Sequence, residues 1–365
     1  MHFFHQEPLE SMMSTRNPAK KNGLTGLKPV LSLLMMTMCG NSIQAASQVV
    51  FVDASRLAVV GNLSRRTVDV KTGRVTASFV LAAQENEDVC PISPARGGQV
   101  VALGTQSVTQ FWNVATGKMI RSSQAADTVE SLAFSPDGKV LASGLFDGTV
   151  TLSDVATGKA LSVFKVGKDE SSDGGITEGV RFVVFSPDGK TIASGSQNGM
   201  INVWNVATGN LIWKLLHSKV DDTVNHLGDY PLNTAAYSPD GKSLVLGWLG
   251  KSLRFYNVAT GQLIKTLVKE ENHVRSLAYS PNGNMLAVGG AYGVNTLQLW
   301  DVASGKVAQT LVRNAVKKTP DDSVDSLAFG PDGRTLASAT LEAATTLWDV
   351  SSGKPIWKLT GVVTK

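Results

Sequence analysis

The sequence predicts an all-β chain: a seven-bladed β-propeller of four-stranded antiparallel blades, each blade drawn from one contiguous repeat. An Asp or Asn recurs at Asp69, Asn113, Asp154, Asn205, Asn257, Asp301 and Asp349, at intervals of 44, 41, 51, 52, 44 and 48. Each is followed four residues later by a glycine, from Gly73 to Gly353. A proline-centred turn precedes this pair in five units, at Pro136, Pro187, Pro239, Pro281 and Pro331. Seven copies of about this length, each with room for four short strands, fit radial blades rather than a linear solenoid.

The stretch from Ser131 to Lys159 shows how one unit is built. Leu132 and Phe134, then Val140 and Ala142, then Val150 and Leu152 alternate with the period of two of strands buried on one face. Ser135-Pro136-Asp137-Gly138 is a turn. Proline presets φ, aspartate bonds back to the local backbone and glycine takes the positive φ. Asp147-Gly148 and Thr157-Gly158 close the next two connections, and 160–164 supplies the fourth strand. The first unit is the least regular, with strands expected over 48–53, 56–60, 67–70 and 75–80, and terminal repeats are commonly atypical. The last unit ends on a strand at 355–359.

Four units carry an aromatic pair at the anchor: Trp112-Asn113, Trp204-Asn205, Trp300-Asp301 and Trp348-Asp349. Tyr256-Asn257 is a softened copy, while Ser153-Asp154 and Val68-Asp69 lack the aromatic. On these residues, over 47–361, the chain resembles the WD-repeat β-propeller family. That family often links a His, a Ser or Thr, a turn Asp and the Trp in one buried network. Here the third unit has Ser143 and Asp147 without His or Trp, and the sixth has His273 and Trp300 without the Asp. The resemblance therefore implies blades held mainly by apolar packing between neighbours. It also implies a departure in closure. The family usually completes its last blade with an N-terminal strand, whereas here all four strands of each blade are contiguous. Closure is expected to rest on packing between blades 1 and 7.

Residues 1–45 read as a polar tail plus a secretory signal peptide, with the propeller over 46–365. Lys20, Lys21 and Lys28 precede an apolar core from Pro29 to Cys39, too short to span a bilayer, and Ala45-Ala46 offers a small-residue cleavage site. Met12 or Met13 is a candidate alternative start. A lipid anchor on Cys39 is disfavoured by the bulky Met36-Thr37-Met38 before it. This layout implies a bacterial-type export route and a periplasmic or extracellular location, with no membrane span after cleavage. Cys90 is then the one remaining cysteine, which excludes an intramolecular disulfide. Loss of Arg16, Lys20, Lys21 and Lys28 with Glu7 and Glu10 takes the formal charge from +4 to +2. That balance argues against nucleic acid as a partner.

The loops divide the molecule into two ends. First-to-second and third-to-fourth strand turns are short and repeated. The fourth-to-first connections vary, with long ones at 167–179, 217–232 and 313–323. Variable loops on a rigid scaffold are where binding concentrates, and the family resemblance implies a partner surface on this rim. Two residue sets belong to it. Glu130, Arg181, Asn233, Arg275 and Asp325 occupy one position near the start of each innermost strand; they either face a partner or solvate a wet channel. Phe146, Trp248 and Tyr292 sit on second-to-third strand loops; they either anchor a partner or fold onto a neighbouring blade. Trp213 and Trp357, at matching outer-strand positions, read as packing. His217, Asp221 and His226 share one loop and are weak metal candidates, as their spacing matches no known ligand motif. An acidic stretch at 169–174 lacks the spacing of a calcium loop. The expected function is a monomeric, non-enzymatic scaffold that binds protein partners without a cofactor. The alternative is a channel-mouth small-ligand binder or metal-dependent hydrolytic propeller.

Overall fold

The computed structural model describes residues 48–51, 53–61, 64–80, 91–95, 99–113, 116–166, 179–196, 199–216, 232–248, 252–268, 273–291, 296–312, 324–340 and 344–360. Among these the regular structure is entirely strand. Blade 1 comprises β1 (Gln48–Phe51), β2 (Arg56–Gly61), β3 (Ser64–Asp69) and β4 (Val75–Val80). Blade 2 comprises β5 (Ile92–Pro94), β6 (Val100–Gly104), β7 (Val108–Asn113) and β8 (Met119–Gln124). Blade 3 comprises β9 (Val129–Phe134), β10 (Val140–Leu145), β11 (Thr149–Asp154) and β12 (Ala160–Lys165). Blade 4 comprises β13 (Val180–Phe185), β14 (Thr191–Ser196), β15 (Met200–Asn205) and β16 (Leu211–Leu216). Blade 5 comprises β17 (Leu232–Tyr237), β18 (Ser243–Trp248), β19 (Ser252–Asn257) and β20 (Leu263–Val268). Blade 6 comprises β21 (His273–Tyr279), β22 (Met285–Ala291), β23 (Thr296–Asp301) and β24 (Lys306–Val312). Blade 7 comprises β25 (Val324–Phe329), β26 (Thr335–Thr340), β27 (Thr345–Asp349) and β28 (Pro355–Leu359).

The four strands of every blade pair antiparallel in chain order, as the contiguous repeats imply. The first strands lie innermost: β5 packs beside β9, β9 beside β13, and so on to β25 beside β1. Second strands such as β10 and β14 are buried along almost their whole length, because neighbouring blades cover both faces. They therefore read as runs of small and apolar residues rather than as an alternation. β3 starts at Ser64, three residues before the Thr67 expected from sequence. Arg65 and Arg66 obscure the apolar signal there, yet their backbones pair with Val60 and Val59.

The repeated turns do what their residues imply. Ser135 Oγ donates to Asp137 Oδ1 (2.6 Å) and accepts from the Val140 amide (2.9 Å). Asp137 accepts from the Lys139 amide, and Gly138 takes φ +71°. Ser186–Asp188 and Ser238–Asp240 repeat the arrangement. At the other turn Asp154 Oδ1 accepts from both the amide (2.7 Å) and the hydroxyl (2.6 Å) of Thr157. These bonds favour the ionised carboxylate, so Asp69, Asp137, Asp154, Asp188, Asp240 and Asp301 titrate below the ordinary range, and Asp349 falls to about 2.

Neighbouring blades pack tightly where a second-strand glycine faces the valine at the head of the next blade's first strand. A Cβ at Gly144 would lie 2.7 Å from Val180 Cγ1 and 2.3 Å from Ser131 Oγ; Gly289 stands in the same relation to Val324 and Ser276. Ser131 Oγ donates across the junction to the Val180 carbonyl, and Ser276 Oγ to that of Val324, both at 2.7 Å.

Blade 1 meets blade 7 with Ala339 in the place of the second-strand glycine. Val49, Leu57, Val59 and Val68 form one core with Ala337, Ala339 and Leu347. The Val49 amide donates to Ser326 Oγ. At the outer edge Trp357 lies over Gly73 and donates from Nε1 to the Val70 carbonyl at 2.8 Å. This outer bond recurs. Trp213 reaches Val258 (2.7 Å), Arg121 reaches Val155 and Ala156, and Lys265 reaches Val302. All four donors occupy the third position of a fourth strand, and each grips the turn of the next blade. Trp213 and Trp357 are thus packing residues. Within blades, two Trp–Ser bonds of the kind the resemblance implied are present: Trp204 and Trp348 donate to Ser194 and Ser338. Val288 takes the corresponding place in blade 6, and Trp300 Nε1 has no partner among the described residues.

Replacing Gly144 by Ala should destabilise the fold by roughly 2–3 kcal/mol through overpacking. Gly138→Ala, which meets nothing closer than 3.8 Å, should cost only the positive-φ strain, about 1 kcal/mol. Chemical denaturation of the two variants checks the order. The turn aspartates set the pH response. A carboxylate with a depressed folded pKa stabilises above its unfolded value of about 4, and that contribution is lost as pH falls toward the folded value. The denaturation midpoint should therefore hold from pH 7 to 5 and drop between about pH 4 and 2. Asp349→Asn should blunt that drop.

Candidate interaction rim

The rim is built on the innermost strands. In four of them a buried valine is followed by a charged side chain: Val129 precedes Glu130, Val180 precedes Arg181, Val274 precedes Arg275 and Val324 precedes Asp325. Because each valine is wedged against the preceding blade, the polar side chain beside it is held at the junction.

Four of the five predicted residues form two pairs across blade junctions. Arg275 Nε lies 2.7 Å from Asp325 Oδ1, joining blades 6 and 7. Arg181 Nε lies 3.8 Å from Glu130 Oε2, joining blades 4 and 3. The carboxylates are deep, with side chains 4% and 7% exposed, while the arginines retain 33% and 25%. Glu130 lies against the backbone of Gly179, where a Cβ would come within 2.4 Å of Oε2. Burial pushes the Glu130 carboxyl above its ordinary range; the Arg181 guanidinium opposes the shift and Asp127 adds to it. The pairs therefore do more than solvate a channel. They tie junctions together and leave two part-exposed arginine side chains, on blades 4 and 6, flanking blade 5.

Phe146 is half-buried on the β10–β11 loop, its amide bonded to the Thr128 carbonyl at 2.9 Å. Asn233 and Trp248 lie within β17 and β18, but their side chains are outside the described set. Tyr292, the metal candidates His217, Asp221 and His226, Cys90, the acidic stretch 169–174 and the leader also lie outside the described residues. Among the described residues there is no cluster of three or more His, Cys, Asp and Glu suited to a metal, and no helix long and apolar enough to cross a membrane.

Sequence reasoning singled out the ring positions but missed the pairing. The signal was present: opposite charges stand at one repeat position in successive units, Glu130 then Arg181, and Arg275 then Asp325. Arg275→Met should cost roughly 3 kcal/mol or more, since it leaves a buried carboxylate without its ion-pair partner. Adding Asp325→Asn should recover most of that loss, and urea denaturation at pH 7 of the two variants measures it.

Comparison with known proteins agrees with this architecture. The family model described as the anaphase-promoting complex subunit 4 WD40 domain matches residues 98–177 and 266–317. The model for the WD domain, G-beta repeat, matches 171–205. Cell division cycle 20.1, cofactor of APC complex, from Arabidopsis thaliana, is 27% identical over 289 residues, covering 77% of this chain and 58% of the relative. Human striatin is 27% identical over 281 residues, covering 73% of this chain and 34% of striatin. The periodic tryptophan protein 2 homolog of Schizosaccharomyces pombe is 26% identical over 267 residues, covering 67% and 30%. The chain thus spans only part of each of these relatives, 58% at most. Taken with the seven blades, the matches support a WD-repeat β-propeller.

Proposed function

We propose that the chain is a non-enzymatic scaffold that binds a protein partner over the rim carrying the varied loops. The observation that carries this reading is the pair of part-exposed arginine side chains, Arg181 and Arg275, each paired with a buried carboxylate from an adjoining blade. The 2.7 Å contact holds the Arg275 guanidinium and the looser 3.8 Å ion pair biases that of Arg181, so less side-chain entropy is lost when a partner's carboxylate or carbonyl accepts from them. Phe146 adds an aromatic edge near the same rim, and Asn233, Trp248 and Tyr292 belong to the proposal on their sequence positions alone. Relatives that include a cofactor of the APC complex are consistent with action through a larger assembly. Export is a separate part of the proposal and rests on residues 20–46 alone; the relatives compared are eukaryotic and lend no support to a bacterial-type route.

Arg→Ala variants are poor tests, because they strand buried carboxylates. Arg181→Lys with Arg275→Lys keeps the charge and removes the planar fork. Cross-linked capture from the native source, with wild-type and double-Lys baits of equal thermal stability, should recover a partner that the double-Lys bait and Phe146→Ser lose at least in part. Equal recovery by all baits would sink the rim assignment. N-terminal sequencing of the purified native protein should begin near Ala46; retention of residues 20–45 would refute export by leader cleavage.

A further inference from the structure

The outer wall of the propeller offers a second surface, and one blade differs from the rest. Every fourth strand is a sheet edge, and several expose large apolar side chains near their start, including Ile120, Leu161, Ile212, Ile264 and Ile356. In the other blades the strip is then broken by a polar side chain five residues after the turn glycine: Ser78, Ser122, Lys214, Thr266, Thr310 and Lys358. Polar and lysine side chains on an edge discourage pairing with another chain. In blade 3 the same position is Val163.

β12 consequently presents Leu161 and Val163, 56% and 57% exposed, on the side of the strand opposite Phe164, which is buried and stacked on Trp204 at 5.2 Å. The backbone is oriented for pairing. The Val166 amide donates inward to the Gly148 carbonyl, so by alternation the N–H and C=O groups of Val163 and Lys165 face away from β11. Exposed Lys159 and Lys165 flank the apolar pair. The nearby carboxylates Asp154 and Asp147 are turned to their own loops, accepting from Thr157 and Thr149. β12 itself contains no acidic residue.

We propose that β12 is a docking edge for an extended peptide segment of a protein partner. The segment adds as an antiparallel fifth strand to blade 3. It places apolar side chains at two alternate positions against Leu161 and Val163, and a carboxylate at each end against Lys159 and Lys165. The charges at the ends select the occupant: a basic or uncharged strand finds the apolar strip but repels or forgoes the two lysines.

The probe is a fluorescent heptapeptide, Asp-Thr-Val-Thr-Ile-Thr-Asp, titrated onto the full chain by anisotropy at low salt. Saturable binding is expected, weakened about tenfold or more by Val163→Lys and several-fold by Val163→Thr. Ile264→Thr on blade 5 should leave it unchanged, and added salt should weaken it. Because Val163 is exposed, the variants should keep the thermal stability of the parent; Val163→Thr carries the test if the lysine variant does not. Hydrogen exchange at the Val163 and Lys165 amides should slow on binding, as pairing through the backbone requires. The proposal is overturned by absence of saturable binding, by equal binding of a Lys-ended peptide, by undiminished binding to Val163→Thr, or by unprotected amides. Sedimentation of the chain alone addresses the other occupant. A dimer abolished by Val163→Lys, with no probe binding, would assign the edge to a second copy and overturn the peptide reading.

Discussion

The packing of a glycine against a valine at the blade junctions governs much else in this molecule. A glycine in a second strand lets the head valine of the next blade sit against backbone, and the valine is wholly buried as a result. Apolar burial supplies the attraction, and the missing side chain supplies the distance. At that separation a serine hydroxyl such as that of Ser131 or Ser276 can reach the facing carbonyl. The residue after the valine is carried to the junction too, which is how Glu130, Arg181, Arg275 and Asp325 come to meet in pairs. The rim's electrostatics therefore derive from a steric allowance one strand away.

A second set of contacts works at the outer circumference, where blades splay apart and apolar packing thins. There, at four of the junctions, one long side chain bridges to the next turn: arginine, tryptophan or lysine, according to the blade. The chemistry varies while the geometry is kept, since the acceptor is a backbone carbonyl and any donor of sufficient length will serve. Apolar contact at the inner radius and a hydrogen bond at the outer radius resist different motions, the first separation and the second rotation of one blade against another.

Much of the fold was legible because its signals are local. The Ser135–Asp137 and Asp154–Thr157 turns close within a few residues, and strand alternation needs only a short window. What lay hidden depends on register between repeats. Glu130 and Arg181 are 51 positions apart, and nothing in either neighbourhood announces the other. The outer donors were only partly legible: Trp213 and Trp357 stood out as matching positions, while Arg121 and Lys265 fill the same role with other residue types, so no single consensus marks the set. Arg65 and Arg66 concealed the start of β3 because strand pairing there is carried by the backbone. The family's incomplete Trp network suggested reliance on apolar contacts. The structure keeps that emphasis but adds Trp204–Ser194, Trp348–Ser338 and the bonds between blades.

That every blade is a contiguous segment has a consequence for how such a chain can vary. Where a ring is sealed by sharing strands between its two ends, one blade is covalently unlike the others, and the order of the repeats is locked to that seam. Here the junction of blades 7 and 1 likewise has an apolar core and an outer donor, Trp357, together with a hydroxyl contact in which Ser326 Oγ accepts from the Val49 amide. Which blade comes first along the polypeptide is then a genealogical accident rather than a mechanical necessity. Duplication, loss or circular permutation at a blade boundary would move whole units and leave every hairpin intact.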